Sequence, residues 1–429
     1  MRPDAAKLLL SITGITSVLL FVFTLTGCFK DKMETTQRYA IYTPEYKTLS
    51  EVRENLMIIA PKEIQYPGKI YIKGNYVFLG EINRGIHIID NSNPSSPQNI
   101  GYIEIPYNVD MAVKNNTMYA DMGGDLLSID ITDPEKARVK TITEKAFPTQ
   151  QRWTKADDKV IVNWSRRDTV IYTKADAKPK DDERWYPMTE DGIFYNLLSG
   201  PSGSAGATGG VYGTGGSMAR FAATKERLFA VGNNNLGVFN ISNDFNPQWV
   251  VTKSLGWGIE TIFPFGENLF IGTNTGVLVF SLENADDPNQ VGSFGHVRSC
   301  DPVVTDGKHI FVTLRAGSTC GQGVSQLQIL SATSLTNLKL VKSYNLENPY
   351  GLAVDGNILL ICDGTAGLKV YDIADVNDVK LLQTLKDIKP YDVIAINGRA
   401  IVSAADGIYQ YDYKTPSSLK LLSTLKLKK

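Results

Sequence analysis

The feature that most constrains this chain is a phrase that returns along it. Asp90 closes GIHIID, Asp130 LLSID, Asn240 GVFN, Ser281 GVLVFS, Ser331 LQILS, Asp372 GLKVYD and Asp412 IYQYD, with Thr173 in TVIYT the poorest match. These eight positions are spaced 40, 43, 67, 41, 50, 41 and 40 residues apart, so five intervals lie near forty and two contain insertions. Self-similarity at that period signals an array of supersecondary units in one body.

Within each unit the apolar pattern has period two, as in KIYIKGNYVFLGE, AVKNNTMYADMG, AVDGNILLICDG and AINGRAIVSAADG. Short β-branched and aromatic runs broken by Asn-Gly, Asp-Gly or Gly-Asn are hairpins. A third strand follows, then a turn rich in Asn, Asp and Pro, then a fourth strand such as QNIGYIEIP or KLLQTLKDI. Four antiparallel strands per forty residues define a β-propeller blade. A lone blade buries too little apolar surface to stand, so the blades must stack around an axis. Eight blades are expected, at roughly 66–106, 107–147, 148–216, 217–257, 258–298, 299–347, 348–389 and 390–427, with seven as the alternative because the third copy is degenerate. A parallel β-helix is the competing all-β reading, but its rungs are shorter and lack the hairpin turns.

Before the array, Arg2 and Lys7 precede an apolar run over 8–23 and then Leu25-Thr26-Gly27-Cys28. This resembles the cleavage box of bacterial lipoproteins. The likeness implies that residues 1–27 are a signal peptide and that Cys28 becomes an acylated N-terminus. Several acyl chains together anchor a protein stably. A membrane-spanning helix is the alternative use of the run. Residues 28–50 then read as a lipid-anchored tether and 51–429 as the propeller, with insertions at about 174–217 and 314–326. The mixed charges after Cys28 point to the outer membrane, on its periplasmic or cell-surface side. Net charge is −1 over 429 residues, which offers nucleic acid no basic surface. A monomer is expected.

The chain resembles the LVIVD-repeat lipoproteins of Bacteroidetes-type bacteria, through GKIYIKGNYVFLGE, GIHIIDNSNPSSPQNIGYIEIP, NVDMAV, GWGIETIFPFGENLFIGTNTG, SCDPVV, VTLRAGSTC, GLKVYD and GIYQYDY over about 45–427. The resemblance implies a secreted, lipid-anchored propeller and brings no biochemical activity with it.

Propeller topology sorts the loops. Returns from a fourth strand to the next first strand share one face, here called upper, with the turns between second and third strands. Cys300 sits in such a return and Cys320 in such a turn of the same blade, so a Cys300–Cys320 disulfide is expected, which would stabilise by about 3 kcal/mol. Cys362, ending an apolar strand, reads as a buried thiol. The insertion SGPSGSAGATGGVYGTGGS reads as a surface linker, with a lid over the axis as the alternative.

Residues opening the inner strands face the channel at its upper mouth: Asp110, Arg220, Glu260, Asp301 and Asp392. Carboxylates around an axis could hold Ca²⁺, or could accept backbone N–H groups in tight returns. No cofactor is expected, with Ca²⁺ the alternative. Tyr350 and Tyr391 occupy matching positions and Trp257 stands at GWG. Aromatic rings beside polar groups suit a glycan or peptide, or pack between blades. His296 is the one histidine that approaches this face. There is no G-x-S-x-G elbow, no H-E-x-x-H and no zinc spacing. The expected function is therefore an envelope binding or scaffolding module for a protein or glycan. A hydrolase or lyase at the channel mouth is the alternative.

Overall fold

Each first-to-second-strand turn holds a residue in the left-handed region, where glycine and asparagine are tolerated best. Gly74, Asn115, Gly266, Gly307, Gly356 and Asn397 supply it for six first-to-second-strand turns, and Lys225 with Glu226 for a seventh. These turns are parts of seven four-stranded antiparallel blades, spanning residues 67–104, 111–143, 221–254, 259–295, 303–345, 352–385 and 390–426. The computed structural model describes residues 37–65, 67–147, 159–171, 184–187, 203–204, 214–299, 302–317 and 323–427.

The residue used to align the repeat has the same work in every blade. Asp90, Asp130, Asn240, Ser281, Ser331, Asp372 and Asp412 each accept the backbone N–H two residues on, at 2.8 to 3.5 Å. That bond starts the third-to-fourth-strand turn. Shortly after it, every blade has a bulge between its third and fourth strands, as at Ile88/Ile89 and Val370/Tyr371. Such a bulge increases local twist.

The first strands of successive blades touch in order, from Pro67–Lys73 through Met111–Lys114, Phe221–Thr224, Ile259–Phe265, Val303–Thr305 and Leu352–Asp355 to Pro390–Ile396, and the last touches the first. The ring is therefore closed, with first strands innermost. Apolar side chains fill the spaces between blades: one cluster joins Phe263 and Phe270 of blade 4 to Phe311 and Ile329 of blade 5 and to Leu359 and Ile361 of blade 6. Each such burial is worth about 1.5–3 kcal/mol, available only when neighbouring blades are present.

Blades 7 and 1, from opposite ends of the chain, share no strand. Their seam is held by Ile70, Leu79, Ile394 and Ile401 and by a reciprocal amide pair. Asn91 Nδ2 donates to Gln410 Oε1 at 3.0 Å, and Gln410 Nε2 donates back to Asn91 Oδ1 at 2.6 Å, both residues being buried. Ser423 Oγ adds a bond to the Pro94 carbonyl at 2.6 Å.

The eight-blade expectation is corrected to seven. The stretch expected as the third blade supplies Lys159–Ile171, one unbroken strand with no hairpin turn where a blade needs one. It is charged in its middle, at Arg166, Arg167 and Asp168, where a blade strand is apolar. Thr173, the poorest match in the repeat, lies outside the described residues.

The chain divides into two units, residues 44–164 with 194–429, which hold the propeller, and residues 1–43 with 165–193. In the smaller unit residues 39–42 pair antiparallel with residues 184–187. Within the stretch expected as a tether, Gln37–Thr48 is a strand and Leu49–Glu54 a helix. A capping box starts that helix, with Thr48 and Glu51 satisfying each other's backbone N–H. Beyond the helix, Ile58–Ile59 pairs with the outer strand of blade 1. This covers an otherwise open sheet edge.

Candidate functional site

The glycine-rich insertion does not read, in its described part, as the surface linker expected. Thr214–Met218 is a strand antiparallel to the inner strand of blade 1, with Thr214 opposite Ile72 and Gly215 opposite Tyr71. It also touches the inner strands of blades 2, 4, 5, 6 and 7. A segment with those neighbours lies on the propeller axis, and all five of its residues are buried. Gly203 pairs with Met218 and Ser204 with Gly216. The channel is thus filled by the chain itself. Composition explains the fit, because a Cβ on Gly216 would stand 1.9 Å from Asp392 Oδ2, and one on Gly215 would stand 3.0 Å from the Tyr71 ring.

Around the upper end of this strand the buried charges converge. Asp110 Oδ1 accepts from Met111 N at 2.8 Å, while Oδ2 accepts from Arg220 N and, at 3.0 Å, from Phe221 N. Oδ2 also lies 3.0 Å from Lys69 Nζ. One carboxylate thereby ties the inner strands of blades 1, 2 and 3. Burial lowers the Lys69 pKa, and Asp110 opposes that shift. Asp121 Oδ1 accepts from Asn108 Nδ2 at 3.0 Å and from Val109 N and Asp110 N, each at 2.8 Å. Burial nevertheless pushes Asp121 up to about 6. Asp392 Oδ1 accepts from Val393 N at 3.0 Å. Burial lifts Asp392 well above the usual carboxylate range, against the bonds from Val393 and Ser217 and the charge of Lys69. The Ser217 hydroxyl accepts from Leu352 N at 2.6 Å, which fastens the axial strand to blade 6.

The structure therefore brings Asp110, Arg220 and Asp392 together, with Glu260 adding its charge at Arg220. Lys69, Asp121 and Ser217 complete the group. Sequence reasoning missed these three; a second aspartate, Asp363, just after the second strand of blade 6, likewise accepts a backbone N–H, from Asn348 at 2.7 Å. Among the described residues no three His, Cys, Asp or Glu side chains are grouped as a metal site requires. Cys28, Cys300, Cys320 and Asp301 lie outside the described residues. Cys362 is a free, fully buried thiol, and burial raises its pKa.

The aromatic candidates occupy the upper face itself. Trp257 is 80% exposed. It stands between Gly256 and Gly258, both at φ +86°, on a loop pinned from blade 3, since Gly258 N and Ile259 N donate to the Asn233 carbonyl at 3.0 and 3.2 Å. The Asn233 side chain accepts from Arg220 Nη2 at 3.0 Å, which links this loop to the charged cluster. Tyr350 and Tyr391 meet edge to face with centroids 5.3 Å apart, and Gly351 N donates to the Tyr391 carbonyl at 2.9 Å. His296 is set apart, half-buried, its Nδ1 2.7 Å from the Val297 carbonyl.

Residues 66–103, which span blade 1, match the LVIVD repeat. Seven closed four-stranded blades with that repeat define a repeat-built β-propeller. The chain is similar in fold to the computationally designed Ika8 protein, at TM-score 0.50 and 10% identity over 86% of this chain and 92% of that one. It is also similar to the periplasmic gluconolactonase PpgL of Pseudomonas aeruginosa, at TM-score 0.50 and 12% identity over 91% and 96%. A comparison with curated proteins finds no match.

Proposed function

We propose that this protein is a binding module of the bacterial cell envelope, lipid-anchored through Cys28 at the outer membrane. On this reading the upper face of its propeller engages a glycan or protein partner, as a monomer and without a cofactor. The observation that supports it most is Trp257, an indole 80% exposed on a pinned loop. A large aromatic surface held in place loses little entropy on binding, which is the usual character of a binding hot spot. The axial carboxylates Asp110 and Asp392 are buried and offer a substrate no open acid or base.

The test is retention of the full chain on panels of envelope glycans and peptides. Trp257→Ala is expected to weaken the best ligand about tenfold or more with the melting temperature unchanged, and EDTA to have no effect. Equal retention of wild type and variant on every panel member would remove the reading. Mass spectrometry of the mature N-terminus checks the anchor, which requires acylated Cys28.

A further inference from the structure

We infer that Arg315, Tyr350 and Tyr391 form a subsite on the upper face for a carboxylate-bearing sugar. The inference rests on the binding reading above and names the chemistry of the ligand. Arg315 follows the second strand of blade 5 (His309–Leu314), Tyr350 lies in the return to blade 6, and Tyr391 opens the inner strand of blade 7. Three consecutive blades thus contribute one residue each at the same face.

The guanidinium of Arg315 lies over the Tyr350 ring, 4.1 Å from its centroid, and Tyr350 is braced in turn by Tyr391. A guanidinium held over a ring face keeps its N–H edge available for hydrogen bonds. Among the described residues that edge has no hydrogen-bond or carboxylate partner. Nearby, Lys369 Nζ is 2.6 Å from Asp363 Oδ2. Asp392 lies against Gly351, with burial raising its pKa, and Glu347 on the same return is exposed to solvent. The subsite therefore offers a guanidinium fork held over an aromatic ring. A planar fork suits a planar carboxylate, held by two parallel bonds. Its surroundings are aromatic and hydroxyl-bearing: Asn348 Nδ2 donates to the Tyr350 hydroxyl at 3.4 Å, and the Tyr391 ring is half-buried. Hydroxyl and amide groups beside half-open rings suit a sugar ring better than an aliphatic acid.

The experiment is calorimetric titration of the full chain with tetragalacturonate, with its methyl ester, and with an acidic peptide of equal charge. The acid is expected to bind at least tenfold more tightly than the ester, and to weaken as salt rises. Arg315→Gln should abolish that difference, Arg315→Lys should restore only part of it, and Arg298→Gln should leave it intact, with circular dichroism checking the fold of each. Equal affinity for acid and ester, binding of the peptide alone, or an unchanged preference in Arg315→Gln would overturn the inference. A ligand lost in Trp257→Ala but indifferent to Arg315→Gln would overturn it while leaving the binding reading in place.

Discussion

At the scale of single residues, the axis is governed by where a side chain cannot be. Gly216 faces the buried Asp392 carboxyl at a distance that admits no Cβ, so Gly216→Ala should destabilise the protein by about 1–3 kcal/mol. Gly295→Ala, whose Cβ would meet only the Thr275 carbonyl at 3.9 Å, should stay within about 0.5 kcal/mol. Urea denaturation midpoints separate the two. Asp121 yields a prediction in pH. Its folded pKa of about 6 lies above the ordinary 3.8, so between those values the native state holds a proton that the unfolded chain has released. The stabilisation this gives is complete below about pH 4 and lost as pH rises to 6. Asp121→Asn keeps an acceptor for its three N–H partners and carries no charge. It should therefore raise stability above pH 6, by up to about 3 kcal/mol, and change little at pH 4. A variant no more stable at pH 7.5 than wild type would contradict this. Asp110 and Asp392 were legible because an aspartate opening an inner strand stands out in the repeat. Lys69 and Ser217 were not, because each acquires its meaning from a partner on another element, Asp110 of the next blade and Leu352 of blade 6.

At the scale of elements, the seven turns after the third strand are one device written with different letters. The aspartates and asparagine accept the turn N–H at 2.8–3.0 Å, whereas Ser331 reaches Thr333 N only at 3.5 Å. Ser331→Asp should therefore stabilise blade 5, by about 0.5–1 kcal/mol, read as a rise in melting temperature. Strand pattern made these blades legible without coordinates, since hairpin turn residues and alternation agree at each copy. It failed at the third copy for a physical reason. Period-two alternation marks any half-buried strand, and Lys159–Ile171 shows it at its start, where Val160 and Val162 are buried, without the turn that would fold it into a blade. The axial strand was hidden more deeply, because TGGSM has almost no side chains with which to show a pattern. Glycine composition signals freedom in water, yet in a crowded channel the same absence of Cβ atoms permits burial.

At the scale of the whole molecule, the ring is closed by side chains and not by a shared strand. Gln410→Ala leaves the buried Asn91 amide without its partner and should cost about 1–3 kcal/mol. Faster hydrogen exchange at the outer strands of blades 1 and 7 should accompany the loss. If exchange there matches wild type, the seam does not depend on this pair. The account as a whole turns on the chain filling its own channel. Hydrogen exchange followed by mass spectrometry on the peptide containing Thr214–Met218 tests that most directly. Exchange as slow as in Arg227–Val231, a buried second strand, is the predicted result. Complete exchange within seconds, as an open glycine linker would show, would contradict it.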